Sequence, residues 1–497
     1  MKRAIVYFLS PFLLLVFLLA CNNETSKTET PMVLSASSQS GEAKTSFDKA
    51  VALLDQGDFQ QSHAMFIKAL QQDPKMAIAY VFKAATDASP KEFTDDMNKA
   101  KENLAGVSEF EKMYFDYSST FIDGDWNKRL EIAQKMATAF PKAARAQVEL
   151  GNTYQNGNEN AKARDCFLKA VELDPKWVGG YAALVNSWLF SDPKDFKKAE
   201  QNALKVVEMA PTSPGAEIAL GDCYRAQNDL QKAKDAYSKA IQLDPNSSGA
   251  YYKKGHANTF LGNYDEARQD YMDGGKHDDV KFAEVTNVAN TYLYAGDHKM
   301  AMQYLMDAFG KMDASGETKD RIAILKSNCM DACANISMYH DDAAKVKEMV
   351  AMLNPINSEI TGQLGTEQAK LNQKSGELYW ESIMNAMNGD YSAAKAKAEE
   401  IKTTVASLND PNKLNGYEFA MGYVNMKEKK YVDAIGHFEK TNPANSVFNK
   451  YWLAMANEAA GNKDKANTLY KEVADYNFNE LGYALIRNDV KKKLAMP

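Results

Sequence analysis

An all-α fold, in which repeated helical hairpins stack into a solenoid, is predicted by three observations. Small residues return in phase: Ala163, Ala199, Ala233, Ala267 and Ala301 lie 36, 34, 34 and 34 residues apart. A glycine followed by Asp or Asn punctuates the chain between them, as in Gly57-Asp58, Gly124-Asp125, Gly262-Asn263, Gly296-Asp297 and Gly389-Asp390. The 497 residues are 45% hydrophobic and 25% charged with only 14 Pro and 27 Gly, which suits a packed helical body and excludes a disordered or collagen-like chain. A fixed period of this length marks a stacked array rather than three or four ordinary domains.

The first element is a targeting segment. Lys2 and Arg3 precede an apolar run from Ala4 to Ala20, broken only by Ser10 and Pro11. The run is short for a bilayer span and has the form of a secretory signal. It ends in Leu18-Leu19-Ala20-Cys21, which resembles the lipobox of bacterial lipoproteins. The resemblance implies removal of residues 1–20, a diacylglycerol on the Cys21 thiol and usually a further acyl chain on its amine. Two or three acyl chains anchor a protein firmly, where one holds it only marginally. Asn22 stands where an Asp would retain such a protein in the inner membrane of enteric bacteria, so an outer-membrane location is expected. Residues 21–46, rich in Ser, Thr, Glu and Lys, have no apolar periodicity and read as a flexible tether. The folded body is expected to begin near Phe47.

The clearest units lie at 144–313. Leu150-Gly151, Tyr154, Ala163, Phe167, Ala170 and Pro175 return as Leu220-Gly221, Tyr224, Ala233, Tyr237, Ala240 and Pro245. A weaker copy between them has Leu184, Trp188, Ala199, Ala203, Val206 and Pro211. These residues resemble the tetratricopeptide repeat, in which Leu-Gly-x-x-Tyr is followed by Ala-x-x-x-Phe, then Ala and Pro. The resemblance implies two antiparallel helices per unit, stacked as a right-handed superhelix. Gly151 and Ala163 are expected where the two helices cross, so that the backbones approach, with Tyr154 and Phe167 filling the next turn. Pro175 stops the second helix, because proline lacks the amide donor and disfavours a helical residue before it. In the turn signals, glycine ends one helix and Asp or Asn caps the next.

Degenerate units are expected on both sides. Residues 47–143 hold Ala50, Gly57, Phe66, Ala69 and Pro74, then Tyr80, Ala84 and Ala100, then Gly124, Trp126, Ala133 and Pro141. Residues 314–475 hold Ala343 with Pro355, Gly389 with Ala394, Gly422 with Ala434 and Phe438, and Gly461 with Ala466 and Tyr470. That makes about twelve units. The spacing stretches around 310–320, 357–371 and 402–415, where loops or lengthened helices must interrupt the stack. Residues 476–497 read as a capping helix, with Leu481, Leu485, Ile486, Val490 and Leu494 at helical spacing and Lys491-Lys492-Lys493 near its end.

No constellation for catalysis stands out. The six His form no His-Glu-x-x-His pair, and neither a phosphate-binding Gly-rich loop nor a Gly-x-Ser-x-Gly elbow is present. Cys329 and Cys333 lie four apart on one helical face and read as two small buried thiols rather than as metal ligands. Five Cys exclude a disulfide scaffold, and 59 basic against 66 acidic residues, a net charge of −7, argue against nucleic acid as a partner. An enzyme, a cofactor and a metal are not expected.

In tetratricopeptide proteins the first helix of each unit lines a concave surface, and the position after the small residue of the Leu-Gly pair faces it. Here that place holds Asn152, Asn186, Asp222, His256 and Asn290. The resemblance implies a ladder of side chains in which Asn offers a donor and an acceptor to an extended peptide, with Tyr252, Phe260, Leu293 and Tyr294 nearby for apolar contact. The basic clamp for a carboxylate terminus, found in some members of the family, is not evident. The expected function is a lipid-anchored, monomeric scaffold that binds a protein or extended peptide in the bacterial cell envelope. The alternative is a glycan-binding lipoprotein similar to the starch-binding outer-membrane family. Five Trp, and no room between 144 and 309 for sugar-stacking loops, count against it.

Overall fold

Each half-period of the sequence becomes one helix. The computed structural model describes residues 36–444 and 446–495, and the regular elements among them are helical throughout. Cys21, its lipobox and the tether as far as residue 35 lie outside the described residues.

The first three hairpins are α1 (Gly41–Asp55) with α2 (Phe59–Gln72), α3 (Ala77–Ala84) with α4 (Pro90–Glu102), and α5 (Glu109–Asp123) with α6 (Trp126–Ala139). The clearest units follow as α7 (Ala144–Asn156) with α8 (Asn160–Leu173), α9 (Val178–Phe190) with α10 (Phe196–Met209), and α11 (Pro214–Ala226) with α12 (Leu230–Leu243). They continue with α13 (Ser248–Leu261) and α14 (Tyr264–His277), then α15 (Val285–Tyr294) and α16 (His298–Lys311). Next come α17 (Lys319–Tyr339) with α18 (Ala343–Leu364) and α19 (Glu367–Met387) with α20 (Tyr391–Thr404). The last pairs are α21 (Asn415–Lys427) with α22 (Tyr431–Phe438) and α23 (Val447–Ala459) with α24 (Lys463–Ala474), before the single helix α25 (Leu481–Lys493). Consecutive hairpins pack in chain order, so the described residues form a helical solenoid of twelve hairpins.

The landmark residues act as joints. Ala163, Ala199, Ala233, Ala267 and Ala301 are fully buried. A Cβ on Gly151, Gly221, Gly255 or Gly422 would overlap the ring of Phe167, Tyr237, Tyr271 or Phe438 on the second helix of the same hairpin. The glycine therefore makes room for a ring, and the aromatic expected at the next turn sits on the glycine itself. Gly57, Gly124, Gly262, Gly296 and Gly389 all have positive φ, the conformation that ends a helix. Asp125, Asp297 and Asp390 cap the helices that follow, whereas the side chains of Asp58 and Asn263 do not.

Three expectations need correction. The body starts before Phe47: Ala36 is buried, the Ser37 amide donates to Glu111 at 2.9 Å, and Ser40 caps α1. Serines that read as solvated tether are a cap and hydrogen-bond partners here. Pro355 lies inside α18 and does not end it. One amide bond is lost there, but Val346, Met349, Val350 and Leu353 keep that helix buried. The stretched spacings resolve partly as long helices, since α17, α18 and α19 have 21, 22 and 21 residues. Finally, α25 does not simply cover the last hairpin; it packs against α15, α17, α23 and α24.

The solenoid winds so tightly that its turns touch. The corner between α1 and α2 crosses the starts of several later units. Arg145 donates to Asp55 at 2.7 Å, as does the Trp177 indole, and Asp58 accepts from the Ser213 hydroxyl at 2.8 Å and the Gly215 amide at 2.9 Å. Gln61 donates to Asp244 at 2.8 Å, and Gln60 donates to the His277 carbonyl at 2.6 Å. Farther on, Ser89 meets Asp320 and Arg321 pairs with Glu92 at 2.7 Å. The corners after α5 and α7 reach Asn409, Asn412 and Asn442 in the same way.

Candidate functional site

The first helices of four hairpins, α3, α5, α7 and α9, line a cavity of about 460 Å³. On α7 the residues facing it are Arg145, Val148, Glu149, Asn152, Gln155 and Asn156, three or four apart and so on one helical stripe. The opposite wall is aromatic. The rings of Phe82 and Tyr114 stack with centroids 4.9 Å apart, Tyr117 and Phe121 continue along α5, and Trp177 closes the side next to α9.

Charge in the cavity is unevenly compensated. One nitrogen of Arg145 contacts both oxygens of Asp55 at 2.7 Å, and the guanidinium lies over the rings of Phe82 and Trp177 at 5.3 and 5.0 Å. The Trp177 indole donates to the same carboxylate at 2.7 Å. Glu149 accepts from the Tyr114 hydroxyl at 2.9 Å and from Asn152 at 3.3 Å. Burial pushes its pKa up, and the nearby Arg145 charge and these hydrogen bonds only partly oppose that. Asn152 is half-buried and Asn186 is exposed, both on the cavity wall.

The other three ladder positions are taken up inside the molecule. Asp222 pairs with Arg225 at 3.0 Å and Lys253 at 2.7 Å and accepts from the Tyr237 hydroxyl at 2.6 Å. Burial alone would raise its pKa; the Lys253 and Arg225 charges hold it at about 2. The Arg225 guanidinium donates to Nδ1 of His256 at 2.8 Å, so the ring hydrogen resides on Nε2, which faces Asn287 at 3.4 Å. Burial, then the Arg225 and Lys253 charges, keep His256 well below its usual pKa and therefore neutral. Asn290 is 6% exposed and its amide reaches Asn479 at 3.4 Å.

What fills this half is the chain's own C-terminal segment. Asn479 also donates to Asn287 at 3.0 Å, and Phe478 lies 4.8 Å from the Phe190 ring and 4.8 Å from the Arg225 guanidinium. Asn488 donates to the carbonyls of Leu293 and Tyr294 at 3.4 and 3.1 Å. Phe260 and Tyr294, expected as ligand contacts, pack on Tyr483 of α25 with centroids 6.1 Å away, and Leu293 is buried with them. Tyr252 is engaged by Asp278 at 2.9 Å. The five-residue ladder is therefore not one accessible strip, and only Asn152 and Asn186 share an open cavity. Sequence reasoning missed Arg145, Glu149, Tyr114 and Trp177. The first two carry a signal, since they precede Asn152 by two turns and one turn respectively on the same helical stripe.

Other candidates are quieter. Cys329 and Cys333 are buried free thiols, each pushed up to about 12 by burial, so both stay protonated. Among the described residues no group of three His, Cys, Asp or Glu is placed to hold a metal, and no helix is long and apolar enough to cross a membrane.

Five stretches of the chain match models of the family described as tetratricopeptide repeat: residues 47–86, 144–176, 216–247, 236–269 and 449–477. These stretches carry the tetratricopeptide pattern. The matches at 47–86 and 449–477 fall in stretches where the repeat pattern is degenerate to the eye. Among solved structures, the chain is similar to the Cut9–Hcn1 hetero-tetramer of APC/C, with 14% identity over 91% of this chain and 76% of that one and a TM-score of 0.41. It is also similar to YrrB, described as a TPR protein with an unusual peptide-binding site, with 20% identity over 39% of this chain and 97% of that one and a TM-score of 0.26. None of the curated proteins compared matches the chain.

Proposed function

We propose that this protein is a scaffold that holds a protein or extended peptide in the cavity of α3, α5, α7 and α9, and that lipid on Cys21 tethers it to the outer membrane of a bacterial cell envelope. One observation carries the binding reading: Asn152 and Asn186 present amide side chains to an open cavity beside an aromatic wall, in the part of the ladder that the C-terminal segment leaves uncovered. Aromatic side chains supply contact area and Asn supplies both a donor and an acceptor, the combination an extended backbone needs. The targeting segment and the lipobox supply the anchoring reading.

The test is direct. Full-length protein and its Asn152→Ala, Asn186→Ala double variant are compared for binding of randomised extended peptides and for photo-crosslinked partners in cell envelopes. The double variant is expected to lose both while its helical circular dichroism stays unchanged. An unchanged partner list removes the cavity from the function. Labelling with a palmitate analogue, present in the wild type and absent in Cys21→Ser, checks the anchor separately.

A further inference from the structure

The same cavity holds one more carboxylate than cation. Three charged side chains line it: Asp55, Arg145 and Glu149. Arg145 is committed to Asp55 through two contacts of 2.7 Å, and the Trp177 indole completes that carboxylate. Glu149 has no ion-pair partner among the described residues; its oxygens meet only the neutral donors Tyr114 and Asn152. At 8% exposure it is a buried carboxylate facing a cavity whose lining includes the rings of Phe82, Tyr114, Tyr117, Phe121 and Trp177.

A buried carboxylate with no ion pair of its own, helped only by the Arg145 charge that Asp55 already engages, is costly, and a cation brought beside it is held more strongly than at the surface. Arg145 already lies over Phe82 and Trp177 and Arg129 over Phe121, so the aromatic wall contributes low-polarity surroundings that strengthen the Glu149 charge rather than a further cation–π site. We propose that this cavity selects a basic side chain, Lys or Arg, presented by an extended segment, and that Glu149 is its ion-pair partner. The proposal rests on the peptide-binding reading and adds the chemistry of the bound residue. Asn152 links the two roles: it contacts Glu149 and shares the cavity wall with Asn186, so backbone and basic side chain would be held a short distance apart. The burial that raises the Glu149 pKa is the same desolvation that an incoming cation offsets.

The experiment uses the full-length chain in detergent and pooled peptides, blocked at both ends, with the central residue fixed as Lys, Arg, norleucine or Glu and the other positions randomised. The Lys and Arg pools are expected to bind on the order of tenfold tighter than the norleucine pool, with the Glu pool weakest. Glu149→Gln keeps an acceptor for Tyr114, and should bring the Lys and Arg pools to the norleucine level without changing the latter. A Lys preference that survives Glu149→Gln overturns the proposal. Equal binding of the Lys, Arg and norleucine pools, lost in the Asn152→Ala, Asn186→Ala variant, also overturns it and leaves the scaffold reading standing. If no pool binds, both fall. Carbodiimide coupling of the Lys pool to the wild type needs no variant: an amide mapped to Glu149 supports the proposal, and coupling confined to other carboxylates refutes it.

Discussion

Asp222 shows how a side chain at a groove position becomes structural. It holds two cations, Arg225 and Lys253, and the hydroxyl of Tyr237. Its folded pKa of about 2 lies below the ordinary 3.8, so the stability it contributes is fully present above 3.8 and fades as pH falls toward 2. Asp222→Asn should cost about 3 kcal/mol at pH 7, because it leaves the buried Arg225 and the half-buried Lys253 without their carboxylate. Urea unfolding at pH 7, 5 and 3 checks this, and the gap between wild type and variant should narrow at the lowest pH. Asp222 and Asn152 occupy equivalent places in the repeat, but Arg225 and Lys253 stand where the unit of Asn152 has Gln155 and Ala183, a difference the period itself does not mark. The distant segment around Phe478 and Asn479 adds to this, lying against Arg225 and reaching Asn290.

Helices and their pairing were far more legible, because the joints are local. The recurrent glycine and the aromatic on the partner helix meet within one hairpin, so every copy repeats the same spacing. Gly221→Ala should destabilise by about 1–3 kcal/mol, since Tyr237 is tethered by Asp222 at 2.6 Å and cannot swing aside. Gly376 in α19 is the contrast: a Cβ there meets nothing within 4 Å, and Gly376→Ala should stabilise by about 0.5–1 kcal/mol through helix propensity alone. Thermal unfolding of the two variants beside the wild type decides. The start of α1 was misplaced for the opposite reason. Ser37 and Ser40 are polar residues whose partners are chosen by the fold, and composition alone cannot tell a cap from a linker.

At the scale of the molecule, a linear array would couple each hairpin only to its neighbours. Contacts between turns break that rule: Asp58 does not cap its own helix and instead accepts from Ser213 and the Gly215 amide at the start of α11. Asp58→Ala should therefore speed hydrogen exchange in the first turn of α11 more than in α2, and cost about 1–2 kcal/mol. Equal effects on both helices would show the contact to be incidental. Removing residues 476–497 should uncover Phe260, Leu293 and Tyr294, which α25 now covers, and raise the binding of a hydrophobic dye. Neither the winding nor the returning segment is visible in the repeat, because contacts between residues so far apart leave no periodic trace.

The corner between α1 and α2 also imposes a schedule on biosynthesis. Asp58 meets Ser213 across 155 residues, and Gln60 meets the His277 carbonyl across 217. At roughly 5–20 residues per second on the ribosome, those partners emerge about ten to forty seconds later. The opening hairpins can close at once, yet they wait through that interval with their later contacts missing. A nascent chain halted before residue 320 would hold well-formed helices without the Ser89 and Glu92 contacts that join the second hairpin to α17.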